Sequence, residues 1–168
     1  MPVQTSYSTN HGKAYAGLVV RADLVVAKKN AEASASIPFG RAVCPHSTDE
    51  DGAILPAAET DKVIGIVARY QNHSMDVDLD STGLKVGATM DVLRKGAIYV
   101  VAEDAPSYLG RGWVRCTAGG DAAEVVGGIT TADEGTETID TTNQIGFEEA
   151  GSAGDLVLIE VDFTREPD

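Results

Sequence analysis

The chain has 168 residues and a formal net charge of −13, from 13 Lys and Arg against 26 Asp and Glu. A chain of this length forms one domain that buries roughly 70% of its unfolded surface. The charge argues against a nucleic-acid partner, since phosphate contacts need clustered cations. No apolar run approaches the roughly 20 residues that cross a bilayer, and the first residues lack the charged region and apolar run of a signal peptide, so we expect cytoplasmic synthesis and no membrane partner.

The N-terminal part differs in charge from the rest of the chain. The first 45 residues hold five of the Lys and Arg but only two of the Asp and Glu. Such an asymmetry indicates that the two parts meet different surroundings. We predict an extended N-terminal arm over residues 1–36 and a single β domain over residues 37–168.

The stretch SASIPFGRAVC, residues 34–44, forms the junction between these parts. Pro38 fixes φ and lacks a backbone donor, so Ile37 is expected to be extended and a strand to begin at or after Phe39. Cys44 ends the stretch. With Cys116 it makes a pair too distant in sequence to suggest a disulfide framework, and both thiols are expected to be reduced and buried.

Short valine clusters bounded by glycine, with few aromatic residues, favour many short strands over helices. A tight turn at Lys95-Gly96 is predicted to join two of these strands in a hairpin, and Pro56 suggests one short helical turn within residues 53–63. The Gly-, Thr- and acid-rich residues 119–154 predict a protruding hairpin insertion, with Asp133-Glu134-Gly135 at its turn. The predicted strands cover residues 40–44, 63–70, 89–94, 97–103, 112–117 and 155–163.

The segment beginning at Asp76 resembles the start of a calcium-binding loop, with Asp78 and Asp80 at the next alternate positions. The rest of the pattern fails, since Ser81 stands where the motif needs glycine and Gly87 where it needs glutamate. A strand with its carboxylates facing water is the simpler interpretation.

Cys44 and His46 are too close on an extended segment to act as a thiol and its base. The other possible zinc ligands, Cys116, His11 and His73, are isolated in the sequence. No nucleophile, phosphate-binding or metalloprotease motif occurs. We therefore expect no catalytic residue, no metal site and no cofactor, and an enzyme remains only the least favoured alternative.

The order of several short phrases resembles the structural cement proteins of tailed-bacteriophage capsids. The most specific part is IPFGR followed by VIGIVAR, and residues 119–154 match least. The resemblance rests on GKAYAG (12–17), VAKKNAEASASIPFGRAV (26–43), ILPAAETDKVIGIVAR (54–69), VGATMDVLRKGAIYVVAEDA (86–105) and GDLVLIEVDF (154–163).

This resemblance implies an all-β fold, a small barrel or sandwich-like domain of the kind called tulip-like. It also implies a non-enzymatic virion component on the outer capsid surface, made in the host cytoplasm. Its partners would be the major capsid protein and other copies of itself, as a dimer or trimer, and it would cement neighbouring capsid subunits together. The alternative is another non-enzymatic virion part, a head fibre or tail module that contacts the host.

Aromatic and apolar side chains near the N-terminus are the expected anchors on the capsid, because they give a large contact area for little ordering cost. Nearby cations are expected to meet capsid carboxylates. The ordinary alternatives stay open: Phe39 in the domain's own core and the lysines in solvent. The candidate capsid or self-contact residues are Tyr7, Lys13, Tyr15, Arg21, Lys28, Lys29, Ile37, Phe39 and Arg41.

Overall fold

The structure is a computed structural model that describes residues 14–69, 83–120 and 124–164. Within these residues the fold is all-β, with one 3₁₀-helix, η1 (Gly135–Glu137), and no α-helix. No helix in the described part is long and apolar enough to span a bilayer. The strands are β1 (Val19–Asn30), β2 (Ala42–Pro45), β3 (Gly52–Ile54), β4 (Gly65–Ala68), β5 (Thr89–Val101), β6 (Trp113–Arg115), β7 (Ile129–Thr130), β8 (Thr138–Asp140), β9 (Ile145–Phe147) and β10 (Leu156–Asp162).

The strands form a large sheet and a smaller one. The large sheet has the order β1-β3-β2-β4-β5-β10-β9, and the small sheet has the order β7-β6-β8. Strand β1 also pairs with β5, so that β1, β3, β2, β4 and β5 close a hydrogen-bonded circuit. Because β5 continues beyond this circuit to pair with β10, the architecture is sandwich-like rather than a clean barrel. The prediction of an all-β fold is confirmed.

Two hydrophobic clusters lie on opposite faces of the central strands. One cluster takes Ile98 from β5 together with residues of the small sheet, such as Val114. The other takes Val92 from β5 and Val67 from β4, and every strand of the closed circuit contributes to it. Because β4 is buried on both faces, its sequence reads as a continuous apolar run rather than an alternation.

The hairpin predicted around Lys95-Gly96 is wrong, because one continuous strand, β5, runs from Thr89 to Val101. Gly96 has φ +142° but does not form a turn. A Cβ at this position would lie only 2.1 Å from the carbonyl oxygen of Arg21. The glycine therefore permits the close approach of β1 to β5, where the register shifts between Ala22 and Leu24.

The two strands predicted within residues 119–154 form as β7 and β8, but they do not pair with each other. Each pairs with β6, which lies between them. The segment therefore contributes two edges of the small sheet, and its last strand, β9, pairs with β10 of the large sheet. The hairpin predicted for this segment is therefore wrong, because β6 lies between the two strands that were expected to pair.

Much of the segment expected as an arm, residues 1–36, belongs to the main sheet in its described part. Residues 19–30 form β1, which pairs with both β5 and β3. Within residues 53–63, where a short helical turn was predicted, the Asp61 amide donates to the Ala58 carbonyl in a turn, without a helix. The calcium-like segment at Asp76 lies outside the described residues, as do Tyr7 and Lys13.

Candidate functional site

The IPFGR phrase lies where three segments of the chain meet. Ile37 is fully buried and forms an isolated antiparallel bridge with Leu84, with two backbone hydrogen bonds of 3.0 and 2.9 Å. The side-chain Nδ2 of the buried Asn30, at the end of β1, donates to the carbonyls of Leu84 and Ala35. The extended conformation expected for Ile37 is thus present, and its side chain belongs to the core.

Two glycines permit the close contact of these segments. Gly17 has φ +82°, and a Cβ there would lie 2.9 Å from the Phe39 Cβ and 3.1 Å from the Arg69 amide nitrogen. Gly40 has φ +78°, and its Cβ would lie 3.2 Å from that of Ala16. The Arg69 amide donates to the Gly17 carbonyl at 2.7 Å. We call the region of residues 15–18, 37–41 and 67–69 the aromatic junction.

The surface of the aromatic junction carries a guanidinium group over two aromatic rings. The Arg69 Cζ lies 5.1 Å from the centre of the Tyr15 ring and 5.3 Å from that of Phe39. These distances are within the range of cation–π interactions. Phe39 is half-buried and also packs against the second core cluster, whereas Tyr15 and Arg69 are exposed. The structure therefore brings Tyr15 and Phe39, which were predicted as contact residues, together with Arg69, which was not.

Arg21, on β1, lies on the surface beside two carboxylates. Its Nε is 3.3 Å from Asp23 Oδ2, and its Nη2 donates to Glu160 Oε1 on β10. The hydrogen bond to Glu160 and the charges of both acids raise the pKa of Arg21. This predicted capsid contact therefore has partners within its own chain.

Lys28 and Lys29 lie on the same strand and also have partners within the chain. The Lys28 Nζ donates to the Glu50 carbonyl at 2.6 Å. The Lys29 Nζ lies 2.7 Å from Asp49 Oδ2, and this contact raises the lysine pKa. Both lysines are therefore already in contact with polar groups of their own chain, Lys28 with the Glu50 carbonyl and Lys29 with the Asp49 carboxylate.

Arg41 is half-buried at the start of β2. Burial lowers its pKa, and the charge of Glu103 acts in the opposite direction. The backbone carbonyl of Arg41 accepts a hydrogen bond from Val67, so the residue ties the aromatic junction to β4. Arg41 is thus close enough to Glu103 for their charges to interact.

A buried charge cluster joins the small sheet to the end of β5. The Arg115 and Glu103 side chains are 1% and 2% exposed, and their Nε and Oε2 atoms lie 2.6 Å apart. Arg115 also forms a bidentate pair with Glu134, at 2.8 and 3.0 Å, and lies 3.6 Å from Glu137. The Val125 amide donates to the second Glu103 oxygen at 3.0 Å. Burial raises the pKa of Glu103 despite these contacts.

The exposed large apolar side chains of the described residues are Tyr15, Val20, Leu24, Val86, Tyr108 and Leu109. Val20 and Leu24 lie on β1, and Tyr108 and Leu109 lie in the loop before β6. Leu109 is 65% exposed and has φ +63°, a conformation that a branched side chain adopts only at a cost. Its amide donates to the Phe147 carbonyl at 2.8 Å, so the loop is held in place.

The cysteine predictions are confirmed, since both thiols are free and buried. Burial raises the pKa of Cys44 to about 12, so its thiol is not an activated nucleophile at neutral pH. The His46 Nδ1 faces the amide of Asp49 at 3.1 Å rather than a thiol. No group of three or more His, Cys, Asp or Glu able to hold a metal lies within the described ranges.

Of the nine sequence-predicted contact residues, the seven in the described ranges divide into two groups. Tyr15, Ile37, Phe39 and Arg41 meet at the aromatic junction, and the three others lie along β1. Sequence reasoning missed Arg69, which closes the VIGIVAR strand, and the loop pair Tyr108 and Leu109. For Arg69, the sequence signal was a cation at the end of a valine- and isoleucine-rich strand. For Tyr108 and Leu109, it was an aromatic and an aliphatic residue together in a loop rich in turn-forming residues.

Taken together, a sandwich-like fold with exposed aromatic and charged side chains has the features of a structural binding module. The chain matches, over residues 3–162, the family model described as structural cement protein (E217 gp24/Pam3 gp6). It therefore belongs to the structural cement protein family, which has a structural role in phage capsids.

A solved structure shows the same fold. A chain from the capsid of Myoviridae phage XM1 aligns with a TM-score of 0.68 and 19% sequence identity, covering 96% of this chain and 98% of that chain. No curated protein matches the sequence. The likeness in structure extends over nearly the whole of both chains.

Proposed function

We propose that this protein binds the outer face of an icosahedral phage capsid and holds neighbouring major capsid protein subunits together, without a catalytic step. The observation that carries the proposal is the family match, which spans residues 3–162. The exposed apolar side chains of β1 support it, because such side chains supply contact area at protein interfaces.

The proposed contact residues have different tasks. Tyr15 and Phe39 supply aromatic contact area on the aromatic junction, while the buried Ile37 holds the junction in shape. Tyr7 and Lys13 keep their proposed role as contacts with the capsid or with another copy. Many copies on one shell gain from avidity, so that each individual contact can be modest.

The cations of β1 are proposed to act by exchange of partners. An exposed ion pair such as Lys29 with Asp49 contributes little to stability, because solvent screens it. A capsid carboxylate can therefore replace the internal one at little cost. Lys28, Lys29, Arg21 and the half-buried Arg41 then favour association with an acidic capsid surface and steer its orientation.

The experiment compares capsid shells prepared with and without this protein. The shells that carry it are expected to melt at a higher temperature in scanning calorimetry, and adding the purified protein to bare shells should restore that temperature. Free bovine serum albumin at the same concentration is the control for non-specific protein. Equal melting temperatures with and without the chain would refute the cement function.

The copy number separates cement from a head fibre or tail module. A cement protein that bridges major capsid subunits must be present in numbers comparable with those subunits. Quantitative staining of purified virions is expected to give a ratio within a small factor of the major capsid protein. A ratio corresponding to a few copies per particle would favour the fibre or tail alternative.

A further inference from the structure

Arg69 is an exposed arginine without an acidic partner among the described residues. Carboxylates outnumber cations two to one in this chain, and Arg21, Lys29, Lys95 and Arg115 each lie within 4 Å of one. The guanidinium of Arg69 instead lies over the Tyr15 and Phe39 rings. Its hydrogen-bond donors therefore have no acceptor in the described carboxylates.

The structure holds this side chain in place before any partner arrives. The amide of Arg69 is fixed by the 2.7 Å hydrogen bond to the Gly17 carbonyl, and the guanidinium carbon lies within 5.3 Å of the centres of both rings. A stacked guanidinium loses less conformational entropy on binding than a free side chain does, and it keeps its donor edge for an acceptor. Arginine in such a setting is typical of interface residues that carry much of the binding energy.

We infer that Arg69, with Tyr15 and Phe39, is a preorganised receptor for an Asp or Glu carboxylate of the major capsid protein. A planar carboxylate accepts two parallel N–H bonds from a guanidinium, which gives both strength and orientation. The exposed Tyr15 ring then shields the pair from water at its rim. A nucleic-acid phosphate is disfavoured, because a chain of net charge −13 repels a polyanion.

This inference rests on the proposed function, and its test separates the two. Purified wild-type protein and variants are titrated onto bare capsid shells, and bound protein is measured after sedimentation. Arg69→Gln is expected to weaken binding about tenfold or more, and Arg69→Lys is expected to weaken it partly, because lysine keeps the charge but not the planar fork. Tyr15→Leu, which keeps the charge and an apolar side chain, is also expected to weaken it partly.

Arg111→Gln is the matched control. Arg111 is an exposed arginine beside Gly146 on the edge strand β9, and it too has no ion pair among the described residues. The same loss of charge at this site is expected to leave binding within about twofold of wild type, the range of an ordinary surface charge. Thermal unfolding of each variant checks that the fold is retained.

A second measurement needs no variant. Phenylglyoxal modification followed by mass spectrometry is expected to label Arg69 in the free protein and to label it several-fold more slowly in shell-bound protein, with Arg111 unchanged. Failure of wild-type protein to bind shells overturns the proposed function itself. Binding that is intact in Arg69→Gln, equal labelling of Arg69 in free and bound protein, or an Arg69 already protected in the free protein overturns the inference alone.

Discussion

Replacing Arg115 by methionine is expected to destabilise the folded protein by about 3–5 kcal/mol, the cost of breaking a buried ion pair by removing one partner. The estimate applies because the Arg115 and Glu103 side chains are 1% and 2% exposed. Glu134, whose side chain is 31% exposed, can turn to water when its partner is lost. Glu103 cannot, and it keeps only the Val125 amide and the more distant charge of Arg41.

The destabilisation should depend on pH with a defined sign. Burial raises the pKa of Glu103 in the folded state above its value in the unfolded chain. Above the folded-state pKa, the ionised Glu103 side chain therefore lowers the stability of the fold. This loss of stability becomes smaller as the pH falls through the folded-state pKa toward the pKa of the unfolded chain. Arg115 is the main group that opposes this rise, so the variant has a still higher Glu103 pKa. The deficit of Arg115→Met relative to wild type is therefore larger at about pH 8 than at about pH 5.

Urea unfolding followed by the fluorescence of Trp113, the only tryptophan and a β6 neighbour of Arg115, measures both effects. The double variant Glu103→Gln/Arg115→Met removes the lone buried charge and is expected to be more stable than Arg115→Met. Arg21→Met, which removes an exposed pair, is the control and should cost far less stability than Arg115→Met. A loss under about 1 kcal/mol for Arg115→Met, or a deficit independent of pH, would refute this account of the cluster.

Three further predictions concern backbone conformation and thiol reactivity. Gly17→Ala should lower the free energy of unfolding by about 1 kcal/mol or more beyond the loss caused by Gly87→Ala, as measured by chemical denaturation. Both glycines have φ near +80°, but only Gly17 has neighbours within 4 Å of the added Cβ. Equal losses for the two variants would contradict the close packing of the aromatic junction. Leu109→Gly should leave stability unchanged or raise it by up to about 1 kcal/mol by relieving φ +63°, and a clear loss of stability would count against backbone strain at this site. Native Cys44, with its pKa near 12, should react with a thiol reagent at neutral pH far more slowly than the unfolded chain does, and rapid labelling of native protein would be inconsistent with its burial.

The fold class was predictable because local patterns report strands well. The valine-rich runs at residues 63–70 and 155–163 became β4 and β10 with small changes at their ends. The hairpin at Lys95-Gly96 was wrong for a physical reason. Glycine allows both a turn and the close approach of a neighbouring strand, and the neighbour that decides the matter, Arg21, is distant in the sequence.

The pairing of strands was not predictable from the same patterns. Strand β6 separates β7 from β8 through long-range hydrogen bonds, while the sequence between β7 and β8 shows an ordinary turn at Asp133-Glu134-Gly135. A natural turn between two strands does not require that they pair, because a third strand can insert between them.

The candidate site was predictable in part. The phrase IPFGR supplies Ile37 and Phe39 to the aromatic junction, and its proline and glycine account for the local backbone. The contribution of Arg69 depends on ring positions supplied by Tyr15 and Phe39, which lie far from it in sequence. Likewise, Arg115 showed no pattern of its own, because its acidic partners come from two other segments of the chain.

An electron cryomicroscopy image of the assembled particle tests the central claim most directly. Density for this fold is expected on the outer surface of the shell, repeated with the capsid symmetry, with each copy in contact with at least two major capsid protein subunits. Density confined to the tail or to a single vertex, or copies that each touch one capsid subunit only, would contradict the cement function.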